Sequence, residues 1–172
     1  MQQGEAMRHP LDQVGAFRQS RPYMNALSRF TPVLFGILRL ITGLLFACHG
    51  GQKLLGFPPG GHSAGNGMML LGAWIELLGG FLIAFGLLTR AAAFIAAGEM
   101  AVAYYMHASG TIAGMMHKPA LTPTEHFFPL LNGGELAVIY CFVFLFIFFH
   151  GAGRYALDNL LFRRGVEIPA HS

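Results

Sequence analysis

Charge is what this sequence has least of. Only 11% of its 172 residues are Asp, Glu, Lys or Arg, where a water-soluble domain carries roughly a quarter. A chain this poor in charge lacks the polar coat of a soluble domain. With 54% hydrophobic residues and a mean hydropathy of +0.52, it reads as a membrane protein. The net charge of +3 is built from 11 basic and 8 acidic residues without a long basic run, which excludes the electrostatic footprint of a nucleic-acid binder. Cysteine is scarce too. Cys48 and Cys141 stand far apart and form no CxxC, so neither a disulfide scaffold nor a thiol-exchange pair is indicated. There is no nucleotide fingerprint and no tight metal-ligand spacing, so no metal site is expected.

What the chain has is long apolar runs. A membrane helix needs about 20 mainly apolar residues to cross a hydrocarbon core of about 30 Å, and four stretches qualify, near 32–55, 68–88, 90–108 and 132–150. The first opens at Pro32, which suits the first turn of a helix. Thr89 and Arg90 join the second to the third, a turn so tight that the two must be antiparallel neighbours. The fourth, ELAVIYCFVFLFIFFH, is expected to present its bulky face from Phe142 to Phe149 to lipid. Between the first two spans, GFPPGGHSAGNG cannot sustain a helix, and residues 109–131, with Pro119, Pro123 and Pro129, form a longer surface loop. The expected fold is all-α, a polytopic bundle of four transmembrane helices. Residues 1–31 form a polar cytoplasmic arm, 32–162 the membrane domain and 163–172 a short cytoplasmic tail.

Orientation follows the positive charges, which are enriched on cytoplasmic flanks. Four spans put both termini on one side, and that side holds Arg8, Arg18, Arg21, Arg29, Arg90, Arg154, Arg163 and Arg164, against Lys53 and Lys118 opposite. Both termini are therefore expected inside.

Each span also carries an ionisable group: Arg39, Glu76, Glu99 and Glu135. A charge at the centre of a membrane helix costs about 2.5–3.5 kcal/mol on insertion scales, so such groups are expected to face one another and to mark a functional site. At 100° per residue, His49 and Lys53 fall on the same side of the first helix as Arg39, which lets Arg39 and Lys53 offset the carboxylates. In the second span Gly72, Glu76, Gly79 and Gly86 share a stripe that allows close helix approach, placing Glu76 on the packing seam. Lys53, Glu135, His49, Glu76 and His107 belong to the outer half, with Glu99 and Arg39 deeper or inward. The expectation is a polar pocket of mixed charge inside an apolar bundle; the structural alternative is that these charges fix helix pairing. Five of the eight histidines, His49, His62, His107, His117 and His126, fall on the outer side. His49 and His107 lie at similar depth on different spans, but without ligand spacing they read as hydrogen-bonding groups, and haem is disfavoured.

RLITGLLFACHGGQKLLGF in the first span, GAWIELLGGFLIAFGLLTRAAAFIAAGEMAVAYYMHA through the second and third, and FFPLLNGGELAVIYCFVFLFIFFHGAGRYALDNLL at the end resemble the DoxX family of small bacterial four-helix membrane proteins. The likeness covers roughly residues 32–162. The family's pattern falls on His49, Gln52, Lys53, Glu76, Glu99, Asn132, Glu135, Arg154 and Asp158, the last two in a cytoplasmic motif, GAGRYALD. The resemblance implies a multi-pass protein of the bacterial inner membrane, associated with quinone or redox chemistry.

The leading expectation is therefore a redox-linked accessory subunit or quinone-handling protein. Lys53 and His49 would hydrogen-bond a quinone oxygen, and Glu76 or Glu99 would deliver protons. Electrons would come from a bound quinone or quinol, a haem or a redox partner protein. If the protein is an enzyme at all, it is an oxidoreductase subunit acting with quinone. The alternatives are a small transporter or proton relay, for which a homo-oligomer would supply the room that four spans lack, and a non-catalytic assembly partner in the lipid bilayer.

Overall fold

The structure is a computed structural model that describes residues 28–60, 65 and 67–161. The arm as far as residue 27, His62 and the tail from residue 162 lie outside the described residues.

Four long helices dominate. α1 is Thr31–Leu55, opened by Pro32 and closed by Gly56 in the left-handed conformation (φ 69°). α2 runs over Met68–Phe85 and contains a π-helical turn at Ile75–Gly79. α3 is Thr89–Ala108 and the last long helix, α7, is Glu135–His150. Among the described residues no strand occurs. The 109–131 segment, expected to be loop, holds three short helices: α4 (Thr111–Met115), α5 (Pro123–Phe127) and α6 (Pro129–Asn132). Its prolines explain why. Pro123 and Pro129 sit at the starts of α5 and α6, where a missing N–H costs nothing, while Pro119 lies in the irregular stretch before them, and Thr122 and Glu125 close a reciprocal capping box on α5. A final turn, α8, is Leu157–Leu161.

Small residues bring the helices together. A Cβ on Gly43 would lie 2.5–2.8 Å from the backbone of Gly80 and Ala84, and one on Gly50 would lie 2.4–2.8 Å from that of Ala73 and Leu77. α1 and α2 are thus in backbone contact, as interhelical glycines permit. The seam on α2 is Ala73, Leu77, Gly80 and Ala84; its first three members lie one residue along from Gly72, Glu76 and Gly79 of the expected stripe, whose fourth member, Gly86, caps the end of the helix. Both rows have helical spacing and both face neighbours: Glu76 is buried against Lys53 of α1 and Gly72 stands against Glu99 of α3. α3 and α7 form a second extensive pair. Buried Ala92, Ala93, Ala96 and Ala97 share a core with Ala137, Tyr140, Phe144 and Ile147. Phe46 of α1 reaches Phe144, with ring centroids 4.7 Å apart and planes at 65°.

The outer surface is apolar. In the most apolar windows of α1 and α2 only 28% and 33% of residues are buried, and these two helices are long and apolar enough to cross a membrane. A soluble core helix of such hydropathy would be mostly buried. α7 is equally apolar but spans only 16 residues. Its phenylalanines divide: Phe142, Phe146 and Phe149 are exposed, as expected of a lipid-facing row, whereas Phe144 is fully buried. The inward stripe at 137, 140, 144 and 147 has helical spacing and was hidden because every neighbour in the run is also apolar.

Candidate functional site

The upper halves of α1, α2, α3 and α7 enclose a cavity of about 570 Å³. Its walls are apolar and rich in thioethers, with Met68, Met69, Met100, Met106 and Met116 among the lining residues. Met is the most adaptable apolar side chain and makes favourable contacts with aromatic rings. Into this setting the sequence inserts His49, Gln52 and Lys53 from α1, Glu76 from α2, and Glu99 and His107 from α3.

The charges are arranged as a pair and a neighbour. Lys53 Nζ donates to Glu76 Oε1 at 2.6 Å; the Glu76 side chain is almost wholly buried and that of Lys53 is 28% exposed. Glu99 interacts electrostatically with both, and its Oε1 stands opposite Gly72, where a Cβ would come within 3.2 Å. Gly72 is therefore the recess that admits the Glu99 carboxyl. One oxygen of each acid, Glu76 Oε2 and Glu99 Oε2, is buried without a hydrogen-bond partner among the described residues. A buried polar atom left unpaired costs roughly 1–3 kcal/mol. Glu76 also lies within the π turn, a distortion often found at functional sites.

The rest of the rim is formed by imidazole, amide and phenol side chains. His49 stands edge-on to Tyr140, with centroids 6.2 Å apart and planes at 88°. Gln52 Nε2 donates to Pro59 O at 3.4 Å. His107 Nδ1 is 3.1 Å from Asn132 O, while the Asn132 side chain donates to His126 O at 3.2 Å and accepts from Gly134 N at 2.8 Å. His126 in turn bonds Ala108 O through Nδ1. Asn132 thus ties α6 to α3 at the edge of the cavity and does not line it. Tyr140 does line it, a residue that sequence reasoning passed over inside the Phe-rich run.

Two further expected members, Glu135 and Arg39, stand elsewhere. Glu135 is exposed, in the first turn of α7, where the helix N-terminus favours a carboxylate. Glu99, expected deeper or inward with Arg39, lies with Glu76 and Lys53. Arg39 lies fourteen residues before Lys53 on α1, about 21 Å away along the axis at 1.5 Å per residue, so it does not offset these carboxylates. Its Nη1 and Nη2 donate to the carbonyls of Ala152 and Tyr155, the latter at 2.7 Å. Beside it Asp158 accepts from Leu88 N (2.7 Å), Thr89 N (3.0 Å) and Thr89 Oγ1 (2.8 Å). Partial burial pushes the Asp158 carboxyl up, but these donors and nearby Arg39 outweigh it and hold the group below its ordinary value. The exposed Arg154 precedes this clamp. The GAGRYALD segment is thereby fastened to the start of α3 and to α1.

The DoxX family profile matches residues 34–109, which carry His49, Gln52, Lys53, Glu76, Glu99 and His107. An uncharacterized protein of Haemophilus influenzae is 42% identical over 146 residues, covering 82% of this chain and all of the relative. The chain belongs to the DoxX family. With its apolar helices, this DoxX protein is a membrane protein. No solved structure matches it.

Proposed function

We propose that this DoxX protein crosses the bacterial inner membrane four times with both termini in the cytoplasm, and that it handles quinone as a redox-linked accessory subunit. One observation carries the reading: an apolar, methionine-walled cavity that holds an ion pair and two unsatisfied carboxylate oxygens. Intramembrane ionisable groups are retained at a cost, and the cost is understandable where they meet a ligand. A quinone headgroup fits the chemistry, because its ring suits thioether walls and its two oxygens suit donors. Lys53, His49 and Gln52 supply those donors. Reduction of a quinone to its quinol takes up two electrons and two protons. Glu76 and Glu99 are placed to pass the protons, and the electrons come from a redox partner protein. The transport reading has less support, since Phe46, Ile83, Phe144 and Ile147, all 0–1% exposed, fill the core between the cavity and Arg39.

The test is purification in mild detergent, extraction and quantification of bound quinone, and an oxidised-minus-reduced ultraviolet–visible spectrum. Near-stoichiometric quinone in the wild type, lost in Lys53→Met and Glu99→Gln at unchanged folding, is the expected result. A wild type carrying no more quinone than an unrelated membrane protein purified alongside it overturns the proposal and moves weight to assembly or transport.

A further inference from the structure

At the Arg39 end the structure holds a second, larger recess of about 1090 Å³, between the start of α1, the end of α2 and the 154–160 segment. Its walls are outward-facing apolar side chains, among them Val33, Ile37, Leu40 and Phe85, which are 40–53% exposed. Arg39 also lines it, and Arg39 is only 3% exposed. No carboxylate among the described residues lies within ion-pair distance of that guanidinium, and its Nε is buried without a hydrogen-bond partner. Asp158, the nearby acid, already accepts three hydrogen bonds from Leu88 and Thr89. A buried cation whose direct partners among the described residues are two carbonyls is an incomplete electrostatic arrangement. Exposed Arg154 adds a second positive charge at the mouth.

We propose that this recess is a binding site for an anionic phospholipid, with the phosphate between Arg39 and Arg154 and an acyl chain along Val33, Ile37, Leu40 and Phe85. Charge complementarity selects the occupant. Guanidinium groups pair with phosphate oxygens, basic pockets between membrane helices hold acidic headgroups, and the apolar wall excludes a purely polar anion as the natural fit. The site is separate from the Lys53 cavity and stands or falls independently of the quinone reading.

The experiment is native mass spectrometry of the delipidated full chain, titrated with phosphatidylglycerol and, in parallel, with phosphatidylcholine of the same acyl chains. Phosphatidylglycerol is expected to bind more tightly. Arg154→Gln should weaken that binding by roughly fivefold, the effect of one basic residue beside an anionic lipid. Because Arg39 also fastens Ala152 and Tyr155, its replacement can unfold this end. Ile37→Trp, which projects a bulky ring across the acyl-chain groove and leaves both arginines in place, is the second variant and should abolish the preference. Equal binding of the two lipids by the wild type overturns the proposal, as does a preference that survives both variants. Thermal stabilisation by inorganic phosphate alone, without lipid preference, also overturns it and makes the recess a free-anion site.

Discussion

Lys53 and Glu76 show how one short contact organises a site. Glu76 is buried, so its charge is tolerable only because Lys53 donates to it at 2.6 Å. Glu76→Gln keeps the shape and removes one charge, whereas Lys53→Met leaves Glu76 and Glu99 in an apolar cavity with no cation beside them. The loss in Lys53→Met should be about 2 kcal/mol, below the roughly 3–5 kcal/mol of a fully buried pair because Lys53 keeps some contact with solvent. Glu76→Gln should cost less than half as much, and thermal unfolding in detergent reads the difference. Equal midpoints would show that the pair contributes no electrostatic stability. Asp158 gives a pH signature at the other end. Its folded value is depressed, so as pH falls the unfolded chain takes up the proton first. The stabilisation is present above the ordinary value of about 3.9 and is lost as pH drops through the lower folded value. Asp158→Asn should remove this acid-dependent component of the unfolding midpoint, and an unchanged profile would place the clamp elsewhere.

Among the elements, the contact of α1 with α2 depends on the absence of side chains at Gly43, Gly50 and Gly80. Gly43→Ala or Gly50→Ala drives a methyl group into the backbone of the neighbouring helix, and backbone cannot rotate away. Each should cost roughly 1–3 kcal/mol or more, as overpacking does. Gly98 on α3 is the control, since a Cβ there meets nothing within 4 Å, and alanine should raise helix stability by up to about 1 kcal/mol. Chemical denaturation of the three variants tests the seam directly. The turn into α3 is the other exposed joint. Leu88 is held in the left-handed region at φ 49°, an uncommon conformation for a residue with a β-carbon, and Asp158 accepts its N–H. The GAGRYALD motif therefore acts from a distance in sequence on a turn formed seventy residues earlier.

At the scale of the whole molecule, the predictions concern sidedness. Arginines crowd the end of the bundle that holds Arg39, Arg90 and Arg154, and the Lys53 cavity opens at the other end. If both termini are cytoplasmic, an alkaline phosphatase fused after Ser172 stays inactive, while one inserted after His117, between α4 and α5, is active. The reverse pattern would invert the protein and place the Lys53 cavity toward the cytoplasm. The surface supports a lipid environment whichever way the chain is inserted. Exposed Leu34, Leu71, Phe94, Phe142 and Phe149 are distributed over all four long helices, more than a monomeric soluble protein would leave bare.

Composition and periodicity alone determined that this chain is helical and membrane-bound, where its long helices lie, and which residues are too costly to be accidental. The apolar runs end where Gly56, Gly86 and Gly151 adopt positive φ, and helix ends are local events that glycine makes readable. Lys53, Glu76 and Glu99 were legible as a set because burying each one carries a free-energy penalty that a single sequence already reveals. Which of them meet is a property of helix rotation and depth, and helices joined by loops can rotate and slide without changing their own periodicity. Only tertiary packing put Glu99 opposite Gly72, drew Asn132 out of the cavity into the α6 joint, left Glu135 on the surface and sent Arg39 to the far end with Ala152 and Tyr155. Tyr140 joined the cavity for the same reason. In a run where every residue is apolar, the inward face is chosen by the neighbours and not by the run itself.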